Sequence, residues 1–256
     1  SKSTNYATIV LFSKTKLHLI EKINSSLYLN TYMIKSIDSE IDYKWWGTQN
    51  YSKSLKIQEK NHSHRVSDQI KDSIMFLEHH PVITIGRTGS EKDIISDFQK
   101  LAELRIEVVD SNRGGETTFH GPGQLIGYFF IKIKNRGLTP ISYVRLLEKV
   151  LVLSFAEYGL GTITLKGKTG VWVQRKNSKN SKKIAAIGVR ISKGVTMHGF
   201  SANISNDLSQ FDHIIPCGIP GLESTSLKKE LSQNIELLDF SSNVVNNFIK
   251  ELGRKK

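Results

Sequence analysis

Cys217 is the single cysteine in 256 residues. It stands between Pro216 and Gly218, after the apolar pair Ile214-Ile215. Proline fixes the approach of the chain, and glycine leaves the far side of the sulfur open, a setting that suits an exposed nucleophile. The reactive form is the thiolate, which needs a neighbouring cation or base at neutral pH. The same tripeptide also suits an inert thiol, because a lone cysteine packs as a small hydrophobe. Lys183 is the first candidate partner. It sits where a basic turn meets the small-residue run Ile184-Ala185-Ala186-Ile187-Gly188. Contact with an apolar strand would partly desolvate the amine and suit it to act as a base; the alternative is one more solvated surface lysine. His79, His120 and His198 could each pair with the cysteine. As a metal-binding trio they lack the helical i, i+4 spacing.

A second concentration of chemistry is Arg113-Gly114-Gly115-Glu116-Thr117-Thr118-Phe119-His120-Gly121-Pro122-Gly123-Gln124. Glycines at this density let a backbone turn sharply and approach a ligand closely. An arginine and a histidine in the same loop suggest a polar ligand group held there. The alternative is a turn-rich hairpin connection with a structural histidine.

The elements that must position these groups follow from periodicity. Strands are expected over 43–47, over 73–86 with a break at Pro81, and over 106–109, 123–134, 162–165, 170–173, 184–191 and 196–204. Helices are expected over 51–62, 96–104, 227–231 and 238–252, and from Pro140 to the glycines at 159 and 161. Residues 60–71 read as a polar loop, 174–183 as a basic Asn/Ser-rich turn, and 207–215 as a loop or short helix. Residues 6–12 could form a strand and 17–29 a helix or irregular arm. The expected organisation is an N-terminal extension over 1–40, one mixed α/β domain over 41–252, and a basic tail over 253–256.

Composition narrows the function classes. Hydrophobic residues make up 38% and charged residues 23%, as in a globular protein with a sizeable core. No apolar run reaches the roughly 18 residues of a membrane span. One cysteine excludes an internal disulfide, and no Cys/His spacing suits structural zinc. The formal net charge of +12 favours acidic partners. The basic stretches over 166–193 and 254–256 do not interleave aromatics as a base-stacking platform would, so nucleic acid is not the expected partner.

Five segments together resemble the motifs of lipoyl(octanoyl) transferases, the LipB-type octanoyltransferases. They are Arg113-Gly114-Gly115, His120-Gly121-Pro122-Gly123-Gln124-Leu125, Lys183-Ile184-Ala185-Ala186-Ile187-Gly188, His198-Gly199-Phe200-Ser201-Ala202-Asn203 and Ile215-Pro216-Cys217-Gly218-Ile219. Leu77-Glu78-His79-His80-Pro81 and Thr225-Ser226-Leu227 support the match, which runs from about residue 41 to about 252. The resemblance implies a single mixed-sheet domain of the biotin/lipoate protein ligase catalytic type. It implies transfer of an octanoyl or lipoyl group from acyl carrier protein to a specific lysine of a lipoyl domain, the first step of lipoate biosynthesis. Cys217 would carry the acyl group as a thioester, and Lys183 would be the base. The substrate site would comprise Arg113, Gly114, Gly115, Glu116, Thr117, Thr118, Phe119 and His120, then Ala186, Ile187 and Gly188, then His198, Gly199, Phe200 and Ser201, with His79.

The acceptors implied are lipoyl domains of 2-oxoacid dehydrogenase E2 subunits and the glycine cleavage H protein. A monomer with no cofactor, no metal and no membrane or nucleic-acid partner is expected. The chemistry is compatible: thioester exchange needs no ATP, glycine-rich segments offer N–H donors to a tetrahedral intermediate, and each buried methylene of the acyl tail stabilises by about 0.8 kcal/mol. Three features depart from the family pattern: Tyr128-Phe129 where Tyr-Pro is usual, a longer basic turn over 174–182, and residues 1–40, which have no counterpart. None touches Lys183 or Cys217. Other readings are an ATP-dependent lipoate or biotin ligase, an octanoyl amidotransferase between carrier domains, and a non-catalytic basic binding module. The N-terminal extension and the absence of an initiating methionine lead us to expect an organellar enzyme, mitochondrial or plastid, rather than a cytoplasmic one.

Overall fold

The computed structural model describes residues 41–174 and 181–254. The expectations for 1–40, for the centre of the basic turn and for Lys255 and Lys256 lie outside the described residues.

The strands form two sheets. The larger has seven strands in the order β1 (Ile41–Gln49), β2 (Asp72–His79), β6 (Gln124–Phe130), β10 (Val195–Asn203), β9 (Lys182–Ser192), β8 (Lys168–Val173) and β7 (Ile163–Leu165). Its β1–β2 pair is parallel and all other pairs are antiparallel. Within it, β2, β6 and β10 are buried along most or all of their length. The smaller sheet has the order β4 (Glu107–Asp110), β3 (Val82–Ile85), β5 (Thr117–His120). Pro81 interrupts the chain between β2 and β3, which enter different sheets.

The two faces of the large sheet are sorted by period-two alternation. In β2, Ile74 and Phe76 enter the main core while Met75 and Leu77 enter a second cluster. In β6, Leu125 and Phe129 face the main core, and Ile126, Tyr128 and Phe130 the second. Two helices complete the main core. Helix α3 (Pro140–Ala156) gives Leu147, Val150, Leu151 and Phe155; helix α5 (Leu237–Gly253) gives Phe240, Val244, Val245 and Phe248. Complete burial of each such side chain is worth about 1.5–3 kcal/mol. Thr139 starts α3 with a capping box closed by Ser142, and Pro140 occupies the first turn. Helix α1 (Tyr51–Val66) lies on the other face, with Leu55 and Ile57 against the second cluster. The small sheet has its own core of Ile83, Leu101, Ile106, Phe119 and Ile214, roofed by helix α2 (Phe98–Glu103); helix α4 is Leu227–Leu231.

Beyond shifts of one to three residues at element ends, three differences from the sequence expectation stand out. Helix α1 continues to Val66 through residues whose polarity suggested a loop. Its last turn is anchored by Arg65, whose Nε donates to Asp72 Oδ1 at 2.7 Å. Strand β6 ends at Phe130, and the apolar run beyond it closes in a 3₁₀ turn, Ile133–Arg136. The glycine-rich loop contains a strand, β5, paired antiparallel with β3 from Ile85↔Thr117 to Val82↔His120.

Candidate active site

A β-bulge aims Lys183. Strands β8 and β9 pair Val171 with Ala185 but Trp172 with Lys183, so one residue of β9 is unmatched. An extra residue inverts the side-chain alternation beyond it. Without it, Lys183 would share a face with Ala185, which is in the main core. With it, Lys183 shares a face with Ala186 and Gly188, which line a cavity of about 330 Å³. The backbone at Lys183 is fixed on its other edge, where its N–H donates to Glu223 O and its C=O accepts from Thr225 N, both at 2.9 Å. The ammonium ends 3.0 Å from Cys217 Sγ and 4.7 Å from the ring centre of Trp172.

Cys217 is half-buried in the short turn Pro216–Gly218, with φ 55° and ψ 29°. That left-handed conformation costs a non-glycine residue about 1–2 kcal/mol. Hydrogen bonds from Gly218 N to Ile215 O and from Ile219 N to Pro216 O hold the turn. Gly218 beside it has φ 60° and faces Glu116: a Cβ there would stand 3.2 Å from the Glu116 carboxyl carbon, which would have to shift.

The glycine-rich segment forms the opposite wall. Gly114 N donates to Val189 O at 3.1 Å, and a Cβ on Gly188 would stand 2.7 Å from Gly114 O. The loop therefore lies directly on the β9 backbone. Arg113 is buried, and its guanidinium is committed to structure. Its Nη2 donates to Thr84 O at 2.7 Å and Glu116 O at 2.6 Å, its Nη1 to Gly114 O, and its Nε to Thr84 Oγ1. Burial pulls the Arg113 pKa down, opposed by the nearby Tyr51, Cys217 and Tyr128.

A hydrogen-bond chain joins this wall to Lys183. Thr84 Oγ1 accepts from Arg113 Nε and Nη2, which leaves its proton for His120 Nε2 at 3.3 Å. His120 Nδ1 then donates to Gln124 Oε1 at 2.8 Å. Gln124 Nε2 donates to Asn203 Oδ1 at 2.9 Å, and Asn203 Nδ2 to Thr225 O at 3.0 Å. Thr225 is the residue paired with the Lys183 carbonyl.

The three histidines are neutral, for one reason. Burial lowers His79 to about 4 and His198 to about 3, and pushes His120 well below its usual range. His79 Nδ1 donates to Gln49 O at 2.9 Å, so its Nε2 accepts from the Tyr128 hydroxyl at 2.7 Å. Burial also holds the Tyr128 phenol well above its ordinary range. His198 Nε2 donates to Asn112 Oδ1 at 2.7 Å.

The cavity thus gathers Cys217, Lys183, Arg113, Gly115, Glu116, Thr117, Thr118, His120, Ala186, Ile187, Gly188, His198, Gly199, Phe200 and Ser201. Three expected site residues lie outside its lining. His79 stands behind Tyr128. Gly114 is covered by Val189. Phe119 alternates away from Thr118 and His120 along β5 and enters the small core, 5.9 Å from Phe211. Several lining residues were not among those expected in the site, chiefly Tyr51, Tyr128, Trp172 and the segment Gly167-Lys168-Thr169. Tyr51 and Trp172 read as ordinary apolar positions of a helix and a strand; only cross-strand and helix–sheet packing turns them toward the site.

Similarity to known proteins agrees with this geometry. The lipoyl protein ligase A/B catalytic domain matches residues 50–249. An octanoyltransferase of Acidobacterium capsulatum is 38% identical over 211 residues, covering 80% of this chain and 85% of the relative. The mitochondrial octanoyltransferase LIP2 of Arabidopsis thaliana is 41% identical over 185 residues, covering 72% and 76%. The bipartite lipoate protein ligase of Thermoplasma acidophilum, solved in work on that organism's lipoylation system and E2 lipoyl domain, superposes with a TM-score of 0.63 at 13% identity, covering 85% of each chain. That likeness shows the shared fold.

Proposed function

The chain belongs to the lipoyl protein ligase A/B catalytic-domain family, and within it we propose an octanoyltransferase that works through an acyl-thioester on Cys217. It is an acyltransferase that moves an octanoyl group onto lipoyl domains. The observation that carries the cysteine mechanism is the 3.0 Å separation of Lys183 Nζ and Cys217 Sγ in the wall of one cavity.

The first half-reaction starts as the Cys217 thiol gives its proton to Lys183. The thiolate attacks the thioester carbonyl of octanoyl-acyl carrier protein. The carrier thiol leaves and takes the proton back from Lys183. In the second half, the target lysine amine of the acceptor attacks the Cys217 thioester. Lys183 accepts the amine proton and passes it to the departing Cys217 sulfur, which leaves as the thiol and returns Lys183 to its neutral form. Such proton transfers contribute about 10²–10⁴-fold to rate. The acyl tail occupies the cavity beside Ile126, Phe200 and Ile187. The acceptors are lipoyl domains of 2-oxoacid dehydrogenase E2 subunits and the glycine cleavage H protein; the enzyme acts as a monomer, and its net charge of +12 draws acidic carriers toward the site. A bacterial and a mitochondrial relative are similar to the chain at nearly the same identity; we place this enzyme in an organelle, which imaging of a tagged full-length chain tests.

Intact-protein mass spectrometry after incubation with octanoyl-acyl carrier protein tests the mechanism. Wild type carries an octanoyl adduct, Cys217→Ser carries none, and Lys183→Ala folds but transfers slowly. An unmodified wild-type protein, or wild-type turnover by Lys183→Ala, would overturn it.

A further inference from the structure

We propose that Trp172 is a positioning residue whose ring face holds the Lys183 ammonium against Cys217 and so favours the ammonium–thiolate pair over the neutral amine and thiol. The inference rests on the Lys183–Cys217 reading above and adds a third member to it.

Four observations carry it. The Lys183 Nζ lies 4.7 Å from the Trp172 ring centre while 3.0 Å from Cys217 Sγ, so one cation contacts both the ring face and the sulfur. Trp172 is 1% exposed and Lys183 is 9% exposed, so little water competes for the ammonium. A cation over a tryptophan face is held more strongly when it is desolvated than when it is exposed. The β8–β9 bulge makes Trp172 and Lys183 direct cross-strand partners; in regular register Trp172 would face Ile184. Finally, the Trp172 Nε1 is buried and finds no acceptor among the described residues. A buried indole normally donates a hydrogen bond, so this ring is kept here by its face and shape, not by its donor.

Other charges face the pair and set its background. Arg113 and Glu116 approach from the glycine-rich wall, and Lys168 from the start of β8, 5.9 Å from the same ring. Lys182, the neighbour on β9, is ion-paired with Glu223. Tyr51, Tyr128, His120 and His198 complete the lining, and the two histidines are held neutral by burial.

The experiment reads the pH dependence of Cys217 alkylation by iodoacetamide in wild type, Trp172→Phe, Trp172→Leu and Lys183→Met, with folding checked by circular dichroism. Phenylalanine keeps a weaker aromatic face, deletes a donor that nothing accepts and leaves a small gap where the second ring stood. Leucine removes the face and admits water, which by itself would favour charge. The expected result is a graded rise in the alkylation midpoint, by about one pH unit for Trp172→Leu and by less for Trp172→Phe. Octanoyl transfer at pH 7 should fall in the same order, by up to about tenfold. Midpoints that match wild type in both folded Trp172 variants, or that move downward, overturn the proposal. If Lys183→Met also matches wild type, the lysine–cysteine reading fails with it. If Lys183→Met shifts and the Trp172 variants do not, only the role of the ring is lost.

Discussion

Mild acid should destabilise this protein through its buried histidines. Nothing in the fold accepts a proton at His79 without cost, because Nδ1 already donates to Gln49 O and Nε2 receives the Tyr128 hydroxyl. Its ring is 5.9 Å from that of His120, so charging both adds repulsion. With folded-state values of about 4 for His79 and about 3 for His198, against about 6.5 unfolded, the sign is fixed. Below pH 6.5 the unfolded chain binds protons that the folded protein refuses. The stability these groups contribute is complete above about 6.5 and is lost as pH falls toward the folded values. Between pH 7 and pH 5, linkage gives a loss of about 2 kcal/mol for each of the two residues, or about 4 kcal/mol together. His120 acts in the same direction. The carboxylates lowered by ion pairs or hydrogen bonds, Asp68, Asp207 and Glu251, titrate mostly below this window. Urea unfolding at pH 7 and pH 5 measures the loss. His79→Gln, whose amide can still accept from Tyr128, should lose less on acidification than wild type, by about 2 kcal/mol. A stability that stays flat from pH 7 to pH 5, or an unchanged pH dependence in His79→Gln, would refute the assignment of these histidines as buried neutral groups.

Two substitutions probe what holds the walls. Asp72 is 1% exposed at its side chain and receives Arg65 Nε and Arg136 Nε at 2.7 Å each, and Lys132 N at 3.0 Å. Asp72→Ala strips both guanidinium groups of this carboxylate and should destabilise by about 3–5 kcal/mol, read from the chemical unfolding midpoint. Gly188→Ala drives a methyl to 2.7 Å from Gly114 O and 3.3 Å from Arg113 Cδ. The loop must retreat, so a cost of about 1–3 kcal/mol should come with reduced transfer from a protein that still folds. Unchanged activity would show that the wall need not lie on β9.

Much of this was legible in the chain because it depends on local chemistry. Short apolar runs mark β2, β6 and β10, and Pro140 and the glycine at 159 bracket α3, because strand propensity and φ restriction act over a few residues. Cys217, Lys183 and the glycine-rich segment stand out for the same reason: their residue types are unusual in their immediate neighbourhoods. Helix α1 was read too short, because its last turn is stabilised by an ion pair to a residue beyond it. Strand β5 was read as loop, because its partner β3 lies 30 or more positions upstream in register, and glycine density masks a strand that tertiary pairing enforces.

The sequence by itself pointed to the family, to the two side chains proposed to react and to most residues of the glycine-rich wall. Only the tertiary structure decided which way Lys183 points, since one unmatched residue in β9 moves it from the core face to the cavity. It also decided that Trp172 lies under its ammonium, that Arg113 is spent on Thr84 and the loop carbonyls, and that His79 supports Tyr128 from behind. These outcomes share a physical cause. Side-chain direction on a strand depends on register with its neighbours, and register is a property of the paired sheet that no single strand contains.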